Sequence, residues 1–316
     1  KQYCLKRVVM RNEFAETIFD LALKDKRVML IIGDTGAGLF DDFKTQLPDQ
    51  FLNAGIAEAN MITVAAGLAK AGFIPFVYAI GPHMVYRAYE QIRNDLCFNL
   101  LNVKIVSVGS GLHYSDHGPT HHSTEDFAVL RVLPNIKIFS PSSGDETKAL
   151  TRLISKDIGP AYLRLGRGKR TLQNQDVRIG KGIKIKEGKD VTIISTGSGV
   201  NDSYILSEMP DLKKISLEII NIHTIKPLDE QMIIKSIIKT KKVITIEEHQ
   251  RTGGLGDAVA SIIAEQNIQI KLIKMGIDDT FCSYIGSYDG IKKRYGLGNN
   301  TLKENINNLL QIKEGC

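Results

Sequence analysis

Short apolar runs alternate with stretches of helical periodicity along almost the whole chain. RVMLIIG (27–33), FIPFVYAI (73–80), VKIVSVG (103–109), IKIFS (136–140) and PAYLRLG (160–166) are β-rich and separated by helical or long loop segments. Near-continuous apolar strands joined by helical crossovers are those of a parallel sheet covered by helices. A polar, turn-rich stretch follows at 168–188, GKRTLQNQDVRIGKGIKIKEG. The alternation then restarts with VTIIST (191–196), SLEIINI (216–222), KVITIEEH (242–249) and IQIKLIKM (268–275), with helices near 199–208, 229–239 and 254–265. The pattern predicts an α/β protein of two domains, each a mostly parallel sheet flanked by helices, with boundaries at 1–175, a linker at 176–188, and 189–316.

Two segments exceed what such a core requires. FLNAGIAEANMITVAAGLAKAGFIPFV (51–77) reads as a tightly packed helix feeding a buried strand, and Glu58 is its one carboxylate. A buried, unpaired carboxylate is costly or gives up its charge, so the position calls for a partner or a task. The other segment is GLHYSDHGPTHHSTEDFAVLR (111–131), a loop carrying His113, His117, His121 and His122 ahead of a helix. Ser123, Glu125 and Asp126 read as an ordinary capped helix start. His113, His117 and His121 are spaced by four, but in a Gly- and Pro-containing loop and not on the helix of a zinc motif, and no carboxylate or cysteine is placed as a further ligand, so no metal is assigned here. Polar loops at the carboxyl ends of parallel strands are where α/β sheets bind ligands, which makes a substrate-contacting histidine the favoured reading.

Composition narrows the setting. The chain has 316 residues, 43% of them hydrophobic, with a net charge of +6. No apolar tract reaches the length of about 18 residues that a membrane span needs. No charged-then-apolar leader opens the sequence, so secretion is not expected. Cys4, Cys97, Cys282 and Cys316 lie far apart without C-x-x-C spacing, and read as free thiols of a cytoplasmic protein. The densest lysine runs, KGIKIKEGK (181–189) and IKTKK (238–242), do not alternate with aromatics. They read as a solvated face and not as a nucleic-acid surface, which leaves phosphorylated small molecules compatible with the charge. GGLG (253–256) opens a helix without the spacing of a dinucleotide fingerprint, and helix-to-strand packing accounts for it.

Six motifs together carry a family resemblance. NAGIAEANMITVAAGLAKAGFIPF, RAYEQIRND, GPTHHSTEDFAVLRVLPNIKIFSPSS, PAYLRLGR, TIKPLD and EEHQRTGGLG resemble, in order and over nearly the whole chain, the pyrimidine-binding and C-terminal domains of transketolases. These enzymes use thiamine diphosphate to move two-carbon ketol units. The G-D-G…N motif with which the family binds Mg²⁺ and diphosphate is absent from the sequence. The resemblance therefore implies the C-terminal half of a split enzyme, with Mg²⁺ held mainly by a separate N-terminal, diphosphate-binding subunit in an α2β2 assembly. It implies that Glu58 hydrogen-bonds the ring nitrogen of the cofactor's aminopyrimidine, a task for a carboxyl group in a dry pocket where its pKa can rise. It further implies that His121 contacts the donor's oxygens, that Arg11 and Arg167 meet a substrate phosphate, and that Asp34, in GDTGAG, lies near the cofactor. An Asp-Gly turn after a strand also explains Asp34 without any function.

The departures from the family are equally informative. Its cofactor-stacking aromatic falls on Ile80, which offers no π face. Tyr78 and His83 are near enough in sequence to stand in, given the Gly81–Pro82 turn between them. At the acid that reads the donor's C2 hydroxyl this chain has His117, and a position usually occupied by histidine falls on Gly109. The expected function is that of a transketolase-like subunit acting on a non-standard or nucleotide-linked sugar. Alternatives in the same cofactor class are the β subunit of a 2-oxo-acid dehydrogenase and a deoxyxylulose-phosphate synthase-like enzyme. Outside the class, a non-catalytic assembly partner stays open.

Overall fold

The computed structural model describes residues 10–168 and 176–311. Among these residues twelve strands form two sheets: β1 (Val28–Ile32), β2 (Phe51–Asn53), β3 (Ile74–Ile80), β4 (Lys104–Val108), β5 (Lys137–Phe139), β6 (Ala161–Leu165), β7 (Ile183–Lys186), β8 (Val191–Ser195), β9 (Leu217–Asn221), β10 (Thr224–Lys226), β11 (Lys242–Gln250) and β12 (Lys271–Ile277). The first sheet runs β10-β5-β6-β4-β3-β1-β2, parallel throughout except for β10, and the second runs β12-β11-β8-β9-β7, parallel except for β7.

Burial on both faces explains the continuous apolar runs. Ile74, Phe76 and Tyr78 of β3 pack with Phe14 and Ile18 of the helix Met10–Lys24. Val77 and Ala79, pointing the other way, pack with Met61, Ile62 and Ala65 of the helix Glu58–Lys70. The period of two places one set of side chains in each layer.

The two halves are not separate bodies. β10 lies in the C-terminal half of the chain yet pairs antiparallel with β5, with Thr224 opposite Phe139 and Lys226 opposite Ile138. The same core cluster holds Phe127 and Leu130 from the first half with Ile222, Ile233 and Leu255 from the second. Glu146 bridges the junction: its Oε2 accepts from the Ser142 backbone N–H of its own half at 2.7 Å, and Asn221 Nδ2 of the second half donates to its Oε1.

The linker reading needs adjustment, because Ile183–Lys186 is strand β7, paired with β9. The lysine runs are neutralised locally: Lys184 and Lys239 both pair with the buried Glu218, and Lys186 pairs with Glu208. Cys97 and Cys282 are buried free thiols, whereas Cys4 and Cys316 lie outside the described residues. No described helix is long and apolar enough to cross a membrane.

Candidate functional site

Glu58 is the first residue of its helix and is 2% exposed. Its charge sits where the helix dipole favours an anion, and it has a partner. Arg87 Nη1 donates to Glu58 Oε2 at 2.5 Å, and His83 Nδ1 stands 4.0 Å from Oε1. The arginine side chain is 51% exposed, so one end of this pair is buried and the other is wet. Arg87 lies in the RAYEQIRND motif, but nothing in its spacing from Glu58 announces the contact.

His83 belongs to the short helix Gly81–Val85 that follows β3. Its ring is 5.3 Å from that of His121, which lies 5.1 Å from His117. Three imidazoles thus line up from Glu58 outward. Burial, reinforced by His83, His117 and His122, lowers the His121 pKa and favours a neutral ring that can both donate and accept. His117 is the outermost, half exposed, with Nδ1 donating to Asp116 at 2.9 Å. His122 is turned inward, and its Nε2 donates to the Tyr114 carbonyl at 3.1 Å. His113 is neutral: burial, with Arg167 and then Arg11 close by, pushes its imidazole down to about 4. Among the described residues, no group of three or more His, Cys, Asp or Glu is arranged to hold a metal ion.

The remaining candidates spread around this line. Arg11, exposed on the first helix, acts electrostatically on Tyr78, His113 and Tyr114. Arg167 follows β6, donates to the His113 carbonyl at 3.0 Å and stacks on Tyr288, its guanidinium carbon 4.6 Å from the ring centre. Among the described residues it donates to no other acceptor, which leaves most of its N–H fork for one. Asp34, at the carboxyl end of β1, is exposed with φ +52° and is held by Asn53, whose Oδ1 accepts from the Asp34 N–H at 3.1 Å. That is the turn geometry an Asx residue favours. Of the possible stacking residues, Ile80 is half-buried and aliphatic. Tyr78 is consumed by the core, lying parallel to Phe14 at 5.9 Å and edge-on to Phe40 at 4.9 Å. His83 is the flat ring that reaches Glu58.

The loop that carries the histidines is pinned by both halves of the chain. Gly111 and Ser123 exchange backbone hydrogen bonds at 3.0 Å, closing its neck. From the C-terminal half, Glu248 Oε2 accepts from Leu112 N–H at 3.1 Å, the Gln250 N–H donates to the Thr124 carbonyl at 2.7 Å, and the Gly286 N–H donates to the Ser115 carbonyl at 3.1 Å. Glu248 is itself held by Ser198 and Tyr288, and although burial opposes its charge, Lys292 and these donors prevail and lower its pKa.

Beneath the neck, Arg164 Nε donates to Asp126 Oδ2 at 2.7 Å and Nη2 reaches the Ser123 and Glu248 carbonyls at 2.7 and 2.9 Å. Asp126 is therefore not a capping residue as its position suggests. It is fully buried as the counter-charge of Arg164, and the helix Asp126–Arg131 has no side-chain cap. GGLG likewise has an occupant. Glu247 accepts from the N–H groups of Leu255 and Gly256, each at 2.7 Å, and a Cβ on Gly254 would meet Glu247 Oε2 at 2.2 Å. The helix start binds a carboxylate, and the carboxylate is the protein's own.

Comparison with known proteins agrees with this geometry. Residues 6–171 match the transketolase pyrimidine binding domain, and residues 180–302 match the transketolase C-terminal domain. The chain is 35% identical to an apulose-4-phosphate transketolase subunit of Phocaeicola vulgatus, covering 92% of this chain and 94% of that protein. It is 33% identical to the 6-deoxy-6-sulfo-D-fructose transketolase subunit SqwH of Clostridium sp. strain MSTE9, covering 96% and 94%. Among solved structures, a split gene transketolase described as an inactive β4 tetramer superposes with a TM-score of 0.86 at 32% identity, over 97% of this chain and 99% of that one.

Proposed function

The chain belongs to the transketolase family, and on that premise we propose that it is the pyrimidine-binding subunit of a thiamine-diphosphate-dependent enzyme moving a two-carbon ketol unit between sugars. The observation that carries this reading is the buried Glu58 carboxylate with a flat imidazole, His83, at its edge and neutral His121 beyond it. An aminopyrimidine needs those features: a carboxyl for its ring nitrogen, a flat neighbour for its face, and a dry wall. The donor set therefore fits the pyrimidine end of the cofactor.

When bound, thiamine diphosphate supplies a nucleophilic carbon and an electron sink for breaking the bond beside a ketose carbonyl. Glu58 holds a proton at the pyrimidine nitrogen. His83 flanks the ring. His121 orients the donor's oxygens, and Arg167, with Arg11 also near His113, draws a phosphate or other anionic tail. Arg87 must release Glu58, or share it, when the ring arrives. Its exposed side chain has the freedom to do so.

The diphosphate and Mg²⁺ are assigned to a second subunit, since the sequence lacks the G-D-G…N motif and the two relatives are themselves named as subunits. The chain alone is expected to show no tight Mg²⁺-dependent binding of thiamine diphosphate in calorimetry and no turnover, with both restored by the diphosphate-binding subunit. Tight binding by the isolated chain would overturn the split arrangement.

The same two relatives are named for unusual sugars, apulose 4-phosphate and 6-deoxy-6-sulfo-D-fructose, which supports a non-standard substrate here. His117 stands where the family reads a hydroxyl with an acid, and a neutral imidazole both donates and accepts whereas a carboxylate only accepts. His117→Asp is expected to raise kcat/KM for xylulose 5-phosphate with ribose 5-phosphate by about tenfold or more. Efficient wild-type turnover of that pair, unchanged by the substitution, would return the enzyme to the ordinary pentose-phosphate class.

A further inference from the structure

Gly109 ends the turn out of β4 with φ +84°, a backbone conformation that favours glycine, and there is no room above it. A Cβ placed there would lie 2.2 Å from Cε2 and 2.4 Å from Cδ2 of Tyr114. The small residue is therefore not a gap in the site. Its backbone is a seat, and the ring of Tyr114 fills the volume that a side chain at 109 would occupy.

That ring lies among the imidazoles of the histidine loop. His113 and His117 are 5.1 and 5.3 Å away, His121 meets it at 90° and 6.1 Å, and Arg11 acts on it electrostatically. Tyr114 is half-buried, and its hydroxyl makes no hydrogen bond to the described residues. A partly buried phenol normally finds a partner for its polar tip, and the polar groups around this ring are Arg11 and the imidazoles. Burial raises its pKa despite Arg11, so the group stays a neutral phenol at ordinary pH.

We infer that Tyr114 is a specificity-determining residue whose hydroxyl contacts a hydroxyl or carbonyl oxygen of the bound sugar, in the place left by the missing side chain at Gly109. The inference rests on the transketolase-like reading of the site. A neutral phenol suits uncharged sugar oxygens, and the anionic end of the substrate is left to the arginines. Because the ring also caps the carboxyl end of β4, it sets how deep a sugar can enter.

The test uses the chain assembled with its diphosphate-binding subunit and loaded with cofactor. D-xylulose 5-phosphate and D-fructose 6-phosphate are titrated calorimetrically and followed kinetically. Tyr114→Phe keeps the ring and removes the hydroxyl, and Tyr114→Ala also opens the seat. The expected result is a fall of about tenfold or more in affinity and kcat/KM for at least one sugar in Tyr114→Phe, a changed ratio between the two sugars in Tyr114→Ala, and no change in proton exchange at the cofactor's C2 in either. Unaltered affinity and kcat/KM for both sugars in both variants would overturn the inference. Loss of C2 exchange in the variants would make Tyr114 a support for cofactor activation, which also overturns it. Absence of C2 exchange in the wild-type assembly would count against the functional reading alone, and the sugar titrations would still decide the role of Tyr114.

Discussion

Glu58→Gln is expected to cut turnover of the assembled enzyme by about 10²-fold or more while leaving the fold and the subunit assembly intact. The amide is nearly isosteric and can still donate a hydrogen bond, but its N–H does not ionise, so it cannot pass a proton to and from a ring nitrogen. The partner it loses in the free chain is Arg87, which is half in water and can solvate itself once the carboxylate is gone. Stability should therefore change little. The measurement is proton exchange at C2 of the bound cofactor, read alongside kcat. Near-wild-type exchange in the variant would give Glu58 another job.

The largest expected effect on stability comes from the junction beneath the histidine loop. Asp126→Ala should cost about 3–5 kcal/mol, because it strands the Arg164 guanidinium where the pair is almost wholly removed from water. Tyr162 loses an acceptor at the same stroke, since its hydroxyl donates to the same Asp126 oxygen at 2.7 Å. Phe127 lies 4.3 Å from the guanidinium carbon and His249 stacks on Phe127 at 5.2 Å, so disorder at this point reaches both halves of the chain. The double substitution Asp126→Ala/Arg164→Met should lose less than the sum of the two single ones, because it leaves no unpaired charge behind. Urea denaturation of the three variants decides it, and additive losses would show that the two side chains do not act as a pair.

The strands most legible in the sequence are those buried on both faces. β3, β4, β6, β8, β9 and β11 are long enough, and apolar enough, for their runs to announce them. β2 and β10 span only three residues each and, unlike the equally short β5 in IKIFS, stand in no apolar run, and β7 is a polar edge strand that reads as linker. Glu58 stands out because it interrupts an apolar helix. Its partner does not, because an arginine on a half-exposed segment looks like any surface arginine. The histidines are visible as a cluster, but which of them face the site depends on the fold: His121 lines up with His83 while His122, its neighbour, turns inward to the Tyr114 carbonyl. Tyr114 has no signal of its own in the sequence. What points to it is Gly109, where an expected side chain is missing, and only the backbone angle and the close approach of the ring explain the substitution.

The passage of β10 into the first sheet bears on how this gene can be cut and recombined. A breakpoint placed in the 176–188 segment, the natural choice from composition, would leave the upstream fragment with an uncovered β5 edge, a row of unpaired backbone groups of the kind that templates aggregation. It would also remove Glu248, Gln250 and Gly286, the anchors that hold the histidine loop in place. A fragment truncated at that point should therefore lose the site's geometry even though every residue around Glu58 is kept. The two halves are portable only together.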